Sequence, residues 1–428
     1  MIKRILTIVA FLPLIVQAQE ISTITSLFDS LKTHPQAIAD SIDMMKALTG
    51  KRMANGMLFP KIDAFGTYDY STSPTGMLPV APNELMGMVK DQSVAQPFSQ
   101  NIMRVGASVS MPIFVKSIYT MASKAKTMYK AAEAKRYINL LKNEAMIVGL
   151  NANLKYMNGM IEALKKKKQS ILKTKEIIEI KVSSDRAPKS ALLKINNALN
   201  QIDLAKSQIE LKKAQAITLI QSLTGIYLEK EVEMTQIGTY QAGELKALDP
   251  LRNKIEAERL GMRAEREKLY PMLIARGNYN HSMASAYNNG GDVNKDYTTV
   301  GLVLKVPIFE KSQYSQVKMK KLDVWALQND FDKKELELKS QANQLQLSLS
   351  IIENQITLYK QSIKDKEELL KISETSYKSG RMTIEDYLKY EDDLVLEQSK
   401  YYKSEADKWQ TIMKLAVIYG NNIEDIVK

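Results

Sequence analysis

The 428-residue sequence has no cysteine and only two histidines, His34 and His281. The first absence excludes disulfides, thiolate metal sites, a cysteine nucleophile and a lipidated N-terminal cysteine. The second leaves little material for imidazole catalysis or a zinc centre. No His-Glu-x-x-His, G-x-S-x-G or P-loop pattern occurs. Gly50-Lys51 lacks the upstream glycine spacing of a phosphate loop and reads as a helix-end glycine. Acidic residues are plentiful but interleaved with lysines, as in i,i+4 pairing along helix surfaces. Neither an enzyme nor a cofactor is expected. Long apolar runs are also missing. The longest, Ile5 to Val16, spans about 12 residues and is broken by Thr7 and Pro13, short of the ~20 that a membrane-spanning helix needs.

What the sequence does contain begins with a targeting pattern. Lys3-Arg4, the apolar stretch after it and Val16-Gln17-Ala18 predict a signal peptide over residues 1–18, cleaved before Gln19. The formal charge of +12 then falls to +10. A basic balance invites a nucleic-acid reading, but an exported chain argues against it.

The chain is written twice. Val105-Gly106, Pro112-Ile113-Phe114, Lys116-Ser117 and Tyr119 recur as Val300-Gly301, Pro307-Ile308-Phe309, Lys311-Ser312 and Tyr314, at an offset of 195. The offset persists at Arg186/Arg381, Leu193/Leu388 and Gly225/Gly420. Upstream, Leu58-Phe59-Pro60, Gly66 and Tyr68 match Leu269-Tyr270-Pro271, Gly277 and Tyr279 at an offset of 211, so the first half carries 16 extra residues between the blocks. The two repeats run from about 22 to 225 and from about 240 to 420.

Each repeat reads as helix, strand, loop, strand, long helix, turn, helix, an α+β class. Strands are expected at about 61–70, 102–112, 272–282 and 297–307, where apolar and polar residues alternate. Val300, Leu302, Leu304 and Val306, for example, oppose Thr299 and Lys305. Strands of about 10 residues cross a bilayer when tilted. Between Gln313 and Tyr377 there is neither proline nor glycine, so a helix of ~65 residues is expected. Leu338, Ala342, Leu345, Leu349, Ile352, Ile356, Tyr359 and Ile363 step along it by alternating fours and threes, a coiled-coil-like seam that needs partner helices. Ile147, Leu150, Leu154, Met157, Ile161 and Leu164 repeat the rhythm in the first half.

Four membrane strands cannot close a barrel, and an open edge is not tolerated in hydrocarbon. Two chains supply eight strands and a filled interior, three supply twelve and an aqueous lumen. A conduit therefore calls for three or more copies. The Val-Gly…Pro-Ile-Phe strand ends, His34-Pro35-Gln36, and Tyr377-x-x-Gly380-Arg381-x-Thr383-Ile384-x-Asp386-Tyr387-Leu388 together resemble the outer membrane efflux protein family, the TolC-like channel-tunnels. That resemblance covers essentially the whole of residues 19–428. It implies a homotrimer whose outer-membrane β-barrel continues as an α-helical barrel across the periplasm of a Gram-negative envelope. It further implies a passive duct of a tripartite efflux or type I secretion system, docked to a periplasmic adaptor (membrane fusion protein) and an inner-membrane transporter. In that picture the loops around Ser71–Gln100 and Met283–Asp296 face outside, and the turns near Ser183–Pro188 and Lys378–Thr383 form the periplasmic tip.

The tip supplies the candidate site. Ser184, Asp185, Arg186, Ala187, Lys378, Ser379, Gly380 and Arg381 are candidates for adaptor contact. Asp386 has two readings: a helix cap with Thr383, or one member of an acidic ring at the periplasmic entrance, with Glu385 and Arg381 beside it. The family commonly has a second acid three positions later, where this chain has Lys389. Met77, Met86 and Met88 in the longer outer loop raise the alternative of soft-metal (copper or silver) efflux, against flexible apolar filling. A structural coiled-coil envelope protein is the remaining alternative, one that has no use for paired strands of membrane length.

Overall fold

A computed structural model describes residues 23–77 and 80–428; the expected signal segment lies outside them. Helices α1 (Ile24–Thr33) and α2 (Pro35–Gly56) lead into strand β1 (Lys61–Gly76), a short helix α3 (Pro82–Lys90) and β2 (Phe98–Phe114). Then come α4 (Lys116–Ser183), α5 (Lys189–Thr224), α6 (Asp249–Glu267), β3 (Met272–Ser285), β4 (Asp292–Lys305), α7 (Lys311–Lys378) and α8 (Ile384–Tyr419). The 195-residue offset reappears in the boundaries themselves: α4 and α7 both have 68 residues, and α5 and α8 both have 36. At 1.5 Å per residue the long pair are each ~100 Å.

Two compact units divide the chain, and neither is a repeat. One holds residues 39–138 and 245–340, the other residues 23–38, 139–244 and 341–428, so each draws on both halves of the duplication.

In the first unit the strands form one antiparallel sheet in the order β1-β2-β3-β4, with β1 and β4 at its edges. Register sorts the side chains cleanly, because residues directly opposite share a face. Ile62, Val109, Gly277 and Val300 form one row, and Val300 is 86% exposed. The next row, Asp63, Ser108, Asn278 and Thr299, lies on the opposite face. One face is thus apolar yet bare in the single chain, with Tyr68, Val105, Leu302 and Leu304 also exposed upon it. Such a surface needs something apolar to cover it.

The strands differ in extent from the alternation-based expectation. β1, β2 and β3 run further at their loop ends, where Thr75 and Gly76 pair with Ser99 and Phe98 beyond a bulge. Backbone pairing continues there although Ser71–Thr75 no longer alternate in polarity. β4 starts earlier, at Asp292, and stops at Lys305, ahead of Pro307, which has no N–H to give a ladder. Within the supposed loop from Ser71 to Gln100 sits α3, opened by Pro82 in its first turn. Gly50 does not end a helix: α2 continues to Gly56. Helix α2 buries no side chain at all, and its Ile42, Met45 and Met53 are exposed.

The second unit is helical. Ala342 and Ile356 of the expected α7 seam are buried, and Leu345, Leu349, Ile352, Tyr359 and Ile363 are half-buried; Leu338, also half-buried, belongs to the first unit. A second apolar stripe escaped the heptad reading. Leu347, Ile351, Leu358 and Leu369 of α7, and Leu193, Leu204 and Leu211 of α5, are exposed. Helix α1 buries Ile24, Leu27, Phe28 and Leu31, an i, i+3, i+4, i+7 face. The connector after α5 is held by buried Asn151 of α4, whose side chain donates to the Val232 carbonyl (2.8 Å) and accepts from the Val232 N–H (2.8 Å). Thr235 and Lys428 exchange backbone hydrogen bonds of 2.8 and 3.1 Å beside it.

Candidate functional site

Both helical turns at the far ends of α4 and α7 are the same motif. In the second, Arg381 N–H reaches the Ser376 carbonyl (2.9 Å) and Gly380 N–H the Tyr377 carbonyl (3.0 Å). In the first, Arg186 N–H reaches Lys181 (2.7 Å) and Asp185 N–H reaches Val182 (3.1 Å). These are the paired 6→1 and 5→2 bonds of a Schellman cap, which needs one residue in the left-handed region. Gly380 takes it at φ 75° and Asp185 at φ 54°. The next helices then start on extended residues, Pro188 and Thr383. Of the candidate adaptor-contact residues, Ser184, Asp185, Arg186, Lys378, Ser379, Gly380 and Arg381 are exposed and Ala187 is half-buried.

Asp386 is exposed and engaged in the cap. Its N–H donates to Thr383 Oγ1 (3.1 Å), and its carboxylate accepts from the same hydroxyl (2.7 Å). Glu385 forms an ion pair with Lys194 of α5, and this hydrogen bond, with a backbone one, holds its carboxyl below the usual carboxylate range. Lys194 occupies the position that matches Lys389 in the other repeat. Arg381 makes no ion pair among the described residues, so the three gate candidates share the tip without binding one another.

Underneath lies a set of residues of which the sequence offered only Tyr377 and Tyr387, as motif positions and without a site role. Tyr377 of α7 and Tyr387 of α8 stack at 5.4 Å with their planes 19° apart. Tyr387 is 1% exposed; its hydroxyl donates to Glu391 (2.7 Å) and meets Ser170 of α4 (2.7 Å). Burial pushes its phenol well up from the ordinary tyrosine value, and burial raises Tyr377 too. Lys181 stands 5.6 Å over the Tyr377 ring. The signal was available in the duplication, since the matching positions in the first repeat are Val182 and Leu192. Both of those pack on the same core cluster. The second turn is thus tied to α4 by hydroxyl chemistry, where the first has aliphatic contact.

The outer-loop methionines are not gathered. Met77 is buried with Ile102, Ala286 and Val293, whereas Met86 is exposed and Met88 half-buried on α3. Two residues apart on a helix, Met86 and Met88 point ~200° apart about its axis. The filler role fits this placement and a thioether cage does not. No cluster of His, Asp or Glu suited to a metal occurs among the described residues. No helix among them is long and apolar enough to cross a membrane.

Residues 246–421 match the family model described as outer membrane efflux protein. Three solved structures share the fold. The CmeC outer membrane channel of Campylobacter jejuni is 16% identical, at a TM-score of 0.76 over 92% of this chain and 85% of that one. The outer membrane protein VceC of Vibrio cholerae is 14% identical, at 0.77 over 93% and 96%. The open-state MtrE outer membrane channel of Neisseria gonorrhoeae is 12% identical, at 0.75 over 95% and 90%. Comparison with curated proteins found no match.

Proposed function

We propose that the chain is a member of the outer membrane efflux protein family, whose model matches residues 246–421, and that three copies of it close into a single passive export duct through the outer membrane. The observation that carries this reading is the sheet. Its two edge strands, β1 and β4, are unpaired on their outer sides, and one face is mostly apolar, with exposed Ile62, Val300, Leu302 and Leu304 upon it. In hydrocarbon every backbone N–H and C=O must be paired, so β1 of one copy has to meet β4 of the next. The strand directions make that junction antiparallel, like the three within the chain. Twelve strands leave an aqueous lumen where eight would be filled by side chains.

The helices support the same arrangement. Helices α5 and α7 each have one stripe occupied within their own chain and a second left bare, as a ring of helices requires. The bare α2 face directly precedes edge strand β1, and exposed Tyr314, Leu322 and Trp325 of α7 follow edge strand β4. A neighbouring copy covers both.

In this duct the Schellman turns are the periplasmic rim offered to an adaptor, and an inner-membrane transporter supplies the energy. Asp386, repeated about the axis, narrows the entrance and attracts cations while also capping α8; Lys389 in place of a second acid leaves a single ring. Fractionation with native mass determination tests the assembly: a trimer of the chain cleaved before Gln19 is expected in outer-membrane fractions. A monomer confined to soluble periplasm would sink it. For the ring, single-channel recording of Asp386→Ala is expected to show higher conductance and weaker block by periplasmic divalent cations. Unchanged conductance and block would leave Asp386 as a cap alone.

A further inference from the structure

We propose that the barrel interior selects for negative charge, so that anionic solutes are the class this duct passes most readily. The inference rests on the three-copy duct above and concerns only which residues line it. With the apolar face turned to lipid, the opposite face of the sheet becomes the lumen wall. Along the rows from Ile62 to Tyr70 the lipid face carries two ionisable side chains other than tyrosine, His281 and Asp296, which lie opposite each other and share a hydrogen bond. The wall face carries seven. Lys61, Arg104, Arg276, Lys295 and Lys305 are set against Asp63 and Asp69.

Both carboxylates are already answered. Asp63 pairs with Lys61 at 3.0 Å, and Asp69 pairs with Arg104 on the neighbouring strand. Arg276, Lys295 and Lys305 are exposed and form no ion pair among the described residues. Each chain therefore contributes three uncompensated cations to the wall, and three copies contribute nine.

They lie at two levels. Arg276 registers with Gly301, near Lys305 at the helix end of β4. Lys295 lies six residues further along the strand, ~20 Å away at 3.3 Å per residue, in the row of Arg104. A charged ring in a narrow passage with low-dielectric walls focuses the field and enriches counter-ions locally. Two rings along one path keep an anion favoured through the length of the barrel. At the tip, Glu385 is already paired with Lys194.

A multivalent blocker added from the outer side probes the barrel before the tip. In planar bilayers at ~0.1 M salt, where the Debye length is about 10 Å, the full-length protein is expected to be blocked by outer inositol hexakisphosphate at roughly tenfold lower concentration than by hexaamminecobalt(III). R276Q/K295Q/K305Q is expected to lose that block about tenfold, while the charge-keeping K295R/K305R retains it. Equal or stronger block by the cation would overturn the proposal. So would an anion block that R276Q/K295Q/K305Q leaves unchanged. A trimer in the bilayer that conducts nothing would instead refute the duct on which the proposal stands.

Discussion

Asp185 and Gly380 stand 195 residues apart and occupy the same left-handed position of the same helix cap, at φ 54° and 75°. Duplication kept the turn and let the residue at its strained position differ. A side chain with a Cβ pays for that conformation and glycine does not, although Asp and Asn tolerate it better than most. Gly380→Ala is expected to destabilise the fold by ~1 kcal/mol, whereas Asp185→Gly is expected to be neutral or slightly stabilising. Thermal unfolding midpoints of the two variants check this; equal losses would contradict it.

The two stacked tyrosines are predicted to differ sharply. Tyr387→Phe removes a hydroxyl bonded to Glu391 and Ser170 and leaves a 3%-exposed carboxylate short of a partner. Its cost is expected to be ~2 kcal/mol. The buried Tyr377 hydroxyl has no hydrogen-bond partner among the described residues, so Tyr377→Phe sheds an unmatched polar group and is expected to be neutral or stabilising. Urea unfolding followed by tyrosine fluorescence ranks them, and a Tyr377→Phe loss as large as that of Tyr387→Phe would refute the distinction.

Asn151 is expected to be the pin of the connector between the repeats. It satisfies both backbone groups of buried Val232, and Asn151→Ala leaves two buried groups unpaired at ~1–3 kcal/mol each. Limited proteolysis is expected to cut the variant within residues 226–244 and spare the parent. An unchanged digestion pattern would show that the pairing of Thr235 with Lys428 suffices alone.

Glu144 sets a pH dependence. It is 2% exposed, one of its oxygens has no hydrogen-bond partner, and burial pushes its carboxyl up to about 7, with Glu424 adding to the rise and Lys32 opposing it. Because the folded value lies above the unfolded one, the folded state holds the proton more tightly. Stability is therefore highest below about pH 4.5 as far as this group is concerned, falls as pH rises towards 7, and is flat above it, by at most ~3 kcal/mol. Glu144→Gln is expected to remove this slope and raise stability at pH 8 relative to the parent. Melting curves at pH 5 and pH 8 test it, and identical slopes for the two proteins would exclude the assignment.

The duplication, the class of each element except α3, the faces of the strands and the positions of the turns after α4 and α7 were legible in the sequence. Each depends on local periodicity or on residues such as Gly380, Pro188 and Thr383 that act within one turn. The loop ends of the strands were not legible, since pairing of Thr75 with Ser99 is set by the partner strand and leaves no alternation behind. Nor was the second apolar stripe of α7, which a single heptad reading conceals. Tertiary structure alone decided that Glu385 meets Lys194, that Tyr387 reaches Ser170 217 residues away, and that Met77 is core filling. It also decided that the compact units cut across the repeats. Those outcomes depend on which segments are brought together, and contacts between residues distant in sequence carry no periodicity along the chain.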